Sequence, residues 1–591
     1  MLASAALVLA WCVGILGRGY WTPDEPREAD ISWRMSWQSE KAVPLLAGEA
    51  FCEKPPLAYW LAGAPIRFIG TAAWAARLPN LMYALITALG VGLLAQRCAG
   101  RFAGWVAAAA ISTFLLSYQV AIWLATDAPL LACVAVALLG AYVGFYAASS
   151  RERLRGYLLM HAALGLGFLC KSAAAWMVPV LAIAALCVWE RRWRELLRWE
   201  LYVGLLVQAA IILPWVWFVY TGPDGTDHLQ VFFWNNLVGR FAQIDAPPEL
   251  QYAAAHRNTP GKYFIELPMY LFPWTLLVIA AGRRAWQHRN STHEDYRPVR
   301  FALAAALPSL AVLSVAATAR NIYLAPALPG VALLLAWWAR AIPADVDRWD
   351  ARALRGTAAL LLLATLVFVA ALGLVAADAR SSSPAHLPFI VISAIGLTTA
   401  AWLSCRAWSA VVGHPRRALM LLLLGYCALL IGPASQLYQR VDTWQDLPSI
   451  ARAIERDSAG KPLILFAPDE TTRSIIDMYA RTAVALVPGP IDAAGIGRLS
   501  AASTAAPEAR IVVLLPNRVK FGDRWRSRPT LDIALELPWM QWLHLRVAKD
   551  YSLPNGRRYA LLERQHESDA NPGAGTHATH PPAPAPAADR L

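Results

Sequence analysis

"MLASAALVLAWCVGILGRGYWTPDEPREAD", Met1 to Asp30, sets an almost unbroken apolar run directly against five charges in its last seven residues. A span needs about 20 apolar residues to cross roughly 30 Å of hydrocarbon, and residues 2–19 meet that requirement. There is no basic leader and no small-residue cleavage site before Trp21, so the run reads as a retained first span rather than a signal peptide. The rest of the chain agrees. It has 591 residues, 57% of them hydrophobic and only 16% charged, whereas soluble domains carry about 25% charged residues. So much apolar surface fits no soluble core, and the fold class expected is a polytopic α-helical membrane protein.

The same spacing predicts thirteen spans, near 2–19, 72–96, 102–121, 128–148, 157–170, 173–189, 201–220, 263–281, 301–318, 322–338, 357–376, 387–404 and 418–434. The net charge of +13 does not point to nucleic acid. Arginine concentrates in short loops between apolar runs, "RCAGR" (97–101), "RERLRG" (151–156), "ERRWRELLR" (190–198), "GRRAWQHRN" (282–290) and "GHPRR" (413–417), as cytoplasmic loops of membrane proteins do. This places the N-terminus inside, and loops 20–71 and 221–262 and everything after Pro433 outside. The eight cysteines show no CxxC and no Cys/His cluster, so neither a disulfide framework nor a zinc site is signalled.

Beyond the membrane part, residues 1–434, the composition changes. "KPLILFAP", "AVALVPG", "RIVVLLPN" and "RRYALLERQ" are short β-like runs, and "ETTRSIIDMYAR" has helical periodicity. A small outer α/β domain is expected over 435–565, flanking the acceptor entrance, followed by a disordered Pro/Ala-rich tail, 566–591.

Three long stretches each hold one charged residue near the middle: Asp127 between Phe102 and Ser150, Lys171 between Gly156 and Trp189, and Arg320 between Phe301 and Ala339. Each stretch is about twice a span, so each is a helical hairpin with its charge at an outer turn. A charge at a turn is either simply solvated or part of a site; ionisable groups at span ends are functional candidates. The first outer loop adds Asp24, Arg27, Glu53 and Lys54, and a later one adds His256, Arg257 and Lys262. Lys54 and Lys171 stand out because the chain has seven lysines against 46 arginines. Between the acidic opening and "EKPP", "ADISWRMSWQSEKA" suits a helix with its Trp and Met on the membrane surface. The two prolines then hold Glu53 and Lys54 in place.

"PDEPREADISWRM…VPLLAGEAFCEKPPLAYWLAG…WAARLPN", Pro23 to Asn80, resembles the opening of the GT-C membrane glycosyltransferases. The nearest branch is the bacterial lipid A aminoarabinose transferases, with the protein O-mannosyltransferases more distant. The likeness continues through "TDAPL" (126–130), "GLGFLCKS" (165–172), "FFWNNLVGRF" (232–241), "FPWTLL" (272–277) and "RNIYLAPALP" (320–329), about the first 340 residues. It implies an inverting pentosyl- or hexosyltransferase of the bacterial inner membrane, using a polyprenyl-phosphate sugar as donor and lipid A or another periplasm-facing molecule as acceptor. It implies Asp24 and Asp127 as the catalytic acids and Lys54, Arg27, Lys171, Arg320 and Tyr323 as contacts to the donor phosphate. Glu53 and His256 match positions that hold a divalent metal ion in some members. The chain departs from the pattern where members commonly have Tyr, at Glu28 and Phe51.

Breaking a sugar–phosphate bond builds negative charge on the leaving phosphate, and preorganised cations aimed there are the largest available lever. Asp24 then either stabilises the oxocarbenium character of the sugar or accepts a proton from the acceptor. A hydroxyl acceptor needs that base, whereas a lipid A phosphate is already anionic. The surplus of cations favours a phosphate acceptor, and the seven acids of the first loop argue partly against it. Three rivals remain: a protein O-mannosyltransferase or another polyprenyl-phosphate hexose transferase, a lipid or sugar transporter, and a sensor with an outer binding domain. A transporter would place its ionisable groups near the midplane and often show paired repeats; here they sit at turns and no repeat is visible.

Overall fold

The computed structural model describes residues 2–39, 41–240, 244, 259, 261–289, 296–316, 320–342, 346–377, 387–515, 518–521, 524–527 and 533–565. His256 and the tail 566–591 lie outside the described residues. The chain forms two compact units, Met1–Arg18 with Ile31–Gln439, and Gly19–Asp30 with Arg440–Leu591.

The first unit is helical. Among the described residues, eight helices are long and apolar enough to cross a membrane by length and composition, or ten if each of two bent pairs counts as one span, against the thirteen expected. Leu57–Ile69 is a further short apolar helix. The bent pairs are Arg101–Thr113 with Leu115–Ile122 (66°) and Lys262–Tyr270 with Thr275–Gln287 (114°). Their breaks bond to each other: Leu115 N donates to Phe272 O (2.9 Å) and Trp274 Nε1 to Thr113 Oγ1 (2.8 Å). Backbone groups released by a bend need partners because hydrocarbon offers none.

The hairpin of Asp127–Phe145 and Ser150–Lys171 packs through small residues. A Cβ on Gly156 would lie 2.3 Å from Gly144 N, and one on Gly140 would lie 2.5 Å from Met160 N. The backbones touch, as in small-xxx-small membrane pairs. Near the far end of this hairpin, Arg153 pairs with Glu195 (3.7 Å) and Glu200 (3.4 Å), and Glu190 with Arg300 (2.8 Å). Several basic-loop arginines are thus tied to acids instead of being only solvated.

The helix in the first loop begins earlier than its composition suggests, running Asp24–Trp37. Met35 does not lie on a membrane surface; it is buried with Ile31, Leu46, Phe51 and Tyr59. The helix buries one apolar edge against its own loop, which the Trp content obscured.

The second unit contains a five-stranded sheet: β1 (Leu463–Phe466), β2 (Val484–Val487), β3 (Arg510–Leu515), β4 (Leu545–Ser552) and β5 (Arg558–Arg564), in the order β2-β1-β3-β5-β4. β2, β1 and β3 are parallel, with Ile464 opposite Ala485 and Ile511; β3–β5 and β5–β4 are antiparallel. Parallel neighbours need crossovers, supplied by the helices Glu470–Tyr479 and Ala493–Ala505. Each of these opens on an aspartate whose side chain accepts from the backbone three residues on, Asp469 from Thr472 N and Asp492 from Gly495 N.

Candidate active site

Three groups of residues carry the chemistry expected from the sequence. The first lies at helix ends of the membrane unit. Asp127 opens the helix Asp127–Phe145, Lys171 closes Ser150–Lys171, and Arg320 immediately precedes the 3-10 turn Asn321–Ala327. An acid at a helix N-terminus and a base at a C-terminus are each favoured by the helix dipole. Packing of the hairpin sets them face to face, with Lys171 Nζ 2.6 Å from Asp127 Oδ1. Their side chains are 16% and 5% exposed, so neither charge is merely solvated at a wet turn. Lys171 Nζ also lies 5.2 Å from the centre of the Tyr323 ring, within cation–π range. The Tyr263 hydroxyl donates to the Arg320 carbonyl (2.9 Å), fixing the backbone at the start of the turn that carries Tyr323.

The second group is the loop carrying Glu53 and Lys54. A small hairpin, Leu45–Leu46 paired with Glu49–Ala50, folds it back. Three side chains then hold its backbone: Trp60 Nε1 donates to Lys41 O (3.0 Å), Trp215 Nε1 to Ala42 O (2.9 Å) and Asn236 Nδ2 to Glu53 O. Beneath it, Val43 and Cys52 pack with Phe168, Trp215 and Phe232. Burial pushes the Cys52 thiol up to about 12, so it remains protonated at neutral pH. Burial, followed by the nearby Arg67, lowers the Lys41 ammonium, which donates to Met35 O (2.5 Å). The motif "FFWNN" therefore serves as a clasp on the loop before Lys54.

The third group belongs to the second unit. Arg27 sits among carboxylates, 3.4 Å from Asp24, 3.5 Å from Glu28 and 3.0 Å from Glu470. Ahead of it, Asp442 accepts from Gly19 N (2.7 Å) and Trp21 Nε1 (2.8 Å). Gln445 Oε1 accepts from Thr22 N (3.1 Å) and Thr22 Oγ1 (2.7 Å).

Chain motif and charge isolation singled out Asp127, Lys171 and Arg320, and the motif "FFWNNLVGRF" contains Asn236 without marking its role. They gave no sign of Tyr263, Trp215, Asp442 or Gln445, which bond to groups far away in sequence. Among the described residues no three His, Cys, Asp or Glu side chains converge as metal ligands. His256, the other expected metal ligand, lies outside the described residues, and no step is assigned to a metal.

The chain is 30% identical over 423 residues to the undecaprenyl phosphate-alpha-4-amino-4-deoxy-L-arabinose arabinosyl transferase of Pseudomonas paraeruginosa, covering 68% of this chain and 72% of that one. The chain belongs to this family of GT-C glycosyltransferases. The corresponding protein of Edwardsiella ictaluri is 28% identical over 372 residues, 63% of this chain and 64% of its own. The family model for dolichyl-phosphate-mannose-protein mannosyltransferases matches residues 53–218, from the Glu53–Lys54 loop through Asp127 and Lys171. The crystal structure of ArnT from Cupriavidus metallidurans bound to undecaprenyl phosphate has a TM-score of 0.69 at 18% identity, covering 95% of this chain and 97% of that one. The fold is that of a multi-pass GT-C membrane transferase with a small C-terminal sheet domain.

Proposed function

We propose that the protein transfers 4-amino-4-deoxy-L-arabinose from undecaprenyl phosphate to a lipid A phosphate at the periplasmic face of the bacterial inner membrane. Its N-terminus is cytoplasmic and its C-terminal domain periplasmic. The observation that carries this is the 30% identity over 423 residues to a transferase named for that donor. The Arg-rich loops on one side of the spans support the orientation.

In this reaction the bond between the sugar's anomeric carbon and the donor phosphate oxygen breaks, and the electron pair leaves with the phosphate. Lys54, Arg27, Lys171 and Arg320 are the cations assigned to that phosphate, with the Tyr323 hydroxyl as a further donor. Arg offers a bidentate fork and Lys a point charge. Asp24 stabilises the positive character of the sugar or orients the acceptor, and takes up a proton only when the acceptor is a hydroxyl. Asp127 holds Lys171 in place through their ion pair. An acceptor oxygen then bonds to the anomeric carbon from the opposite face, giving inversion.

The test is mass spectrometry of lipid A from cells lacking the protein, complemented with wild type or with Asp24→Ala. An aminopentose mass present only with wild type supports the proposal. Identical lipid A in all three strains refutes it and moves the search to hydroxyl acceptors on proteins or glycans, the reading favoured by the mannosyltransferase family match over residues 53–218.

A further inference from the structure

The segment that carries Asp24, Gly19–Asp30, belongs to the same unit as Arg440–Leu591. Four hydrogen-bond donors in Gly19–Thr22 are taken up by two side chains more than 420 positions away: Asp442 binds Gly19 N and Trp21 Nε1, and Gln445 binds Thr22 N and Oγ1. Both acceptors are short of solvent at these contacts, and Gln445 is 7% exposed. Glu25 Oε2 caps the same turn by accepting from Trp21 N (2.7 Å). Beyond it, Thr471 Oγ1 donates to Pro23 O (3.4 Å) and Glu470 pairs with Arg27. Residues 442–445 are in turn joined to the sheet domain by Asn555 N donating to Trp444 O (3.0 Å).

The four contacts from Asp442 and Gln445 end two residues before Asp24, the first residue of its helix. They therefore fix where that helix begins and how its first turn points. Two are charge-assisted, which makes them the stronger kind. We propose that the C-terminal unit is a positioning element for the acidic segment, with Asp442 and Gln445 as positioning residues that act through Asp24. The domain then has a direct part in transfer rather than only flanking an acceptor path. This rests on the assignment of Asp24 as a catalytic acid.

Full-length protein is assayed with the aminoarabinose donor and lipid A, comparing wild type, Gln445→Leu, Gln445→Glu, Asp442→Asn, Asp24→Ala and the Asp24→Ala/Gln445→Leu double variant. Thermal unfolding is followed in parallel. Misplacing a reacting group by about 1 Å costs on the order of 100-fold, so Gln445→Leu and Asp442→Asn are expected to lower kcat by about 10- to 100-fold. The donor KM should stay within about twofold, since ground-state binding is not the lost interaction. Gln445→Glu retains the acceptor oxygen and should restore kcat, and the double variant should be no slower than Asp24→Ala alone. Unchanged kcat in Gln445→Leu, or a loss explained wholly by less folded protein, overturns the positioning role while Asp24→Ala is inactive. Full activity of Asp24→Ala instead overturns the functional assignment beneath it.

Discussion

Lys171 Nζ lies 2.6 Å from Asp127 Oδ1, and each residue is the terminal residue of one helix of a glycine-packed hairpin. The pair is mostly shielded from water, so neither partner tolerates loss of the other. Stripping one member of a buried pair typically costs about 3–5 kcal/mol, because a charge is left without compensation. Asp127→Ala should therefore lower the unfolding temperature of the detergent-purified protein more than the double variant Asp127→Ala/Lys171→Met does. Equal losses would show that the two side chains do not act as a pair.

The hairpin itself makes a second prediction. A side chain at Gly156 meets the backbone of Gly144, which cannot swing aside as a flexible side chain does. Gly156→Val should push the helices apart, cost about 1–3 kcal/mol as overpacking does, and reduce folded yield in membranes. An equivalent change at Gly282, where a Cβ meets nothing within 4 Å, should leave yield near wild type.

Asn236 tests the clasp on the Lys54 loop. Its amide donates to the Glu53 carbonyl, and Asn236→Leu removes that donor while keeping the bulk. Losing a hydrogen bond at this half-buried contact costs about 0.5–1.5 kcal/mol. With Lys54 less well held, the donor KM should rise roughly tenfold, matching about 1.4 kcal/mol. A KM equal to wild type would remove Asn236 from the donor site.

In the sheet domain, acid dependence follows from Asp457. Burial acts to raise its pKa, but the Lys549 ammonium (2.9 Å) and the Tyr551 hydroxyl (2.8 Å) outweigh burial and hold the carboxyl below its usual range. A carboxyl depressed on folding stabilises the native state above its unfolded pKa, and that contribution is lost as pH falls through the folded pKa. Hydrogen exchange in Leu545–Ser552 and Arg558–Arg564 should thus accelerate below about pH 4, the unfolded carboxyl range. Asp457→Asn should remove the part of that acceleration due to this carboxyl.

Part of this was legible in the sequence because membranes impose one simple rule. Apolar length placed ten of the thirteen expected spans, counting each bent pair as one, on helices long enough and apolar enough to cross a membrane, whereas the helices at 2–19 and 173–189 are shorter; the isolation of Asp127, Lys171 and Arg320 within apolar stretches marked helix ends. The strands at 463–466, 484–487, 510–515 and 558–564 were visible as short β-like apolar runs, whereas Leu545–Ser552 was not, since "LRVAKDYS" carries three charges. The start of the first-loop helix at Asp24 was hidden because its opening turn is polar and contains Pro26. The contacts of Tyr263, Asn236, Asp442 and Gln445 were beyond reach for a different reason. Each supports a backbone group tens to hundreds of residues away, and no local periodicity encodes such a contact.

The crossed bonds between the two bent helix pairs have a consequence for biogenesis. Phe114 and Phe272 sit at breaks more than 150 positions apart, and each break satisfies groups of the other. A ribosome delivers the first break to the lipid long before the second exists. Until the chain has been threaded through Trp274, Leu115 N lacks the Phe272 acceptor it has in the fold, so residues 101–122 must wait in a provisional form or beside an insertion factor. Assembly of residues 101–122 is thereby tied to the arrival of the stretch between Lys171 and Trp274 that follows the hairpin.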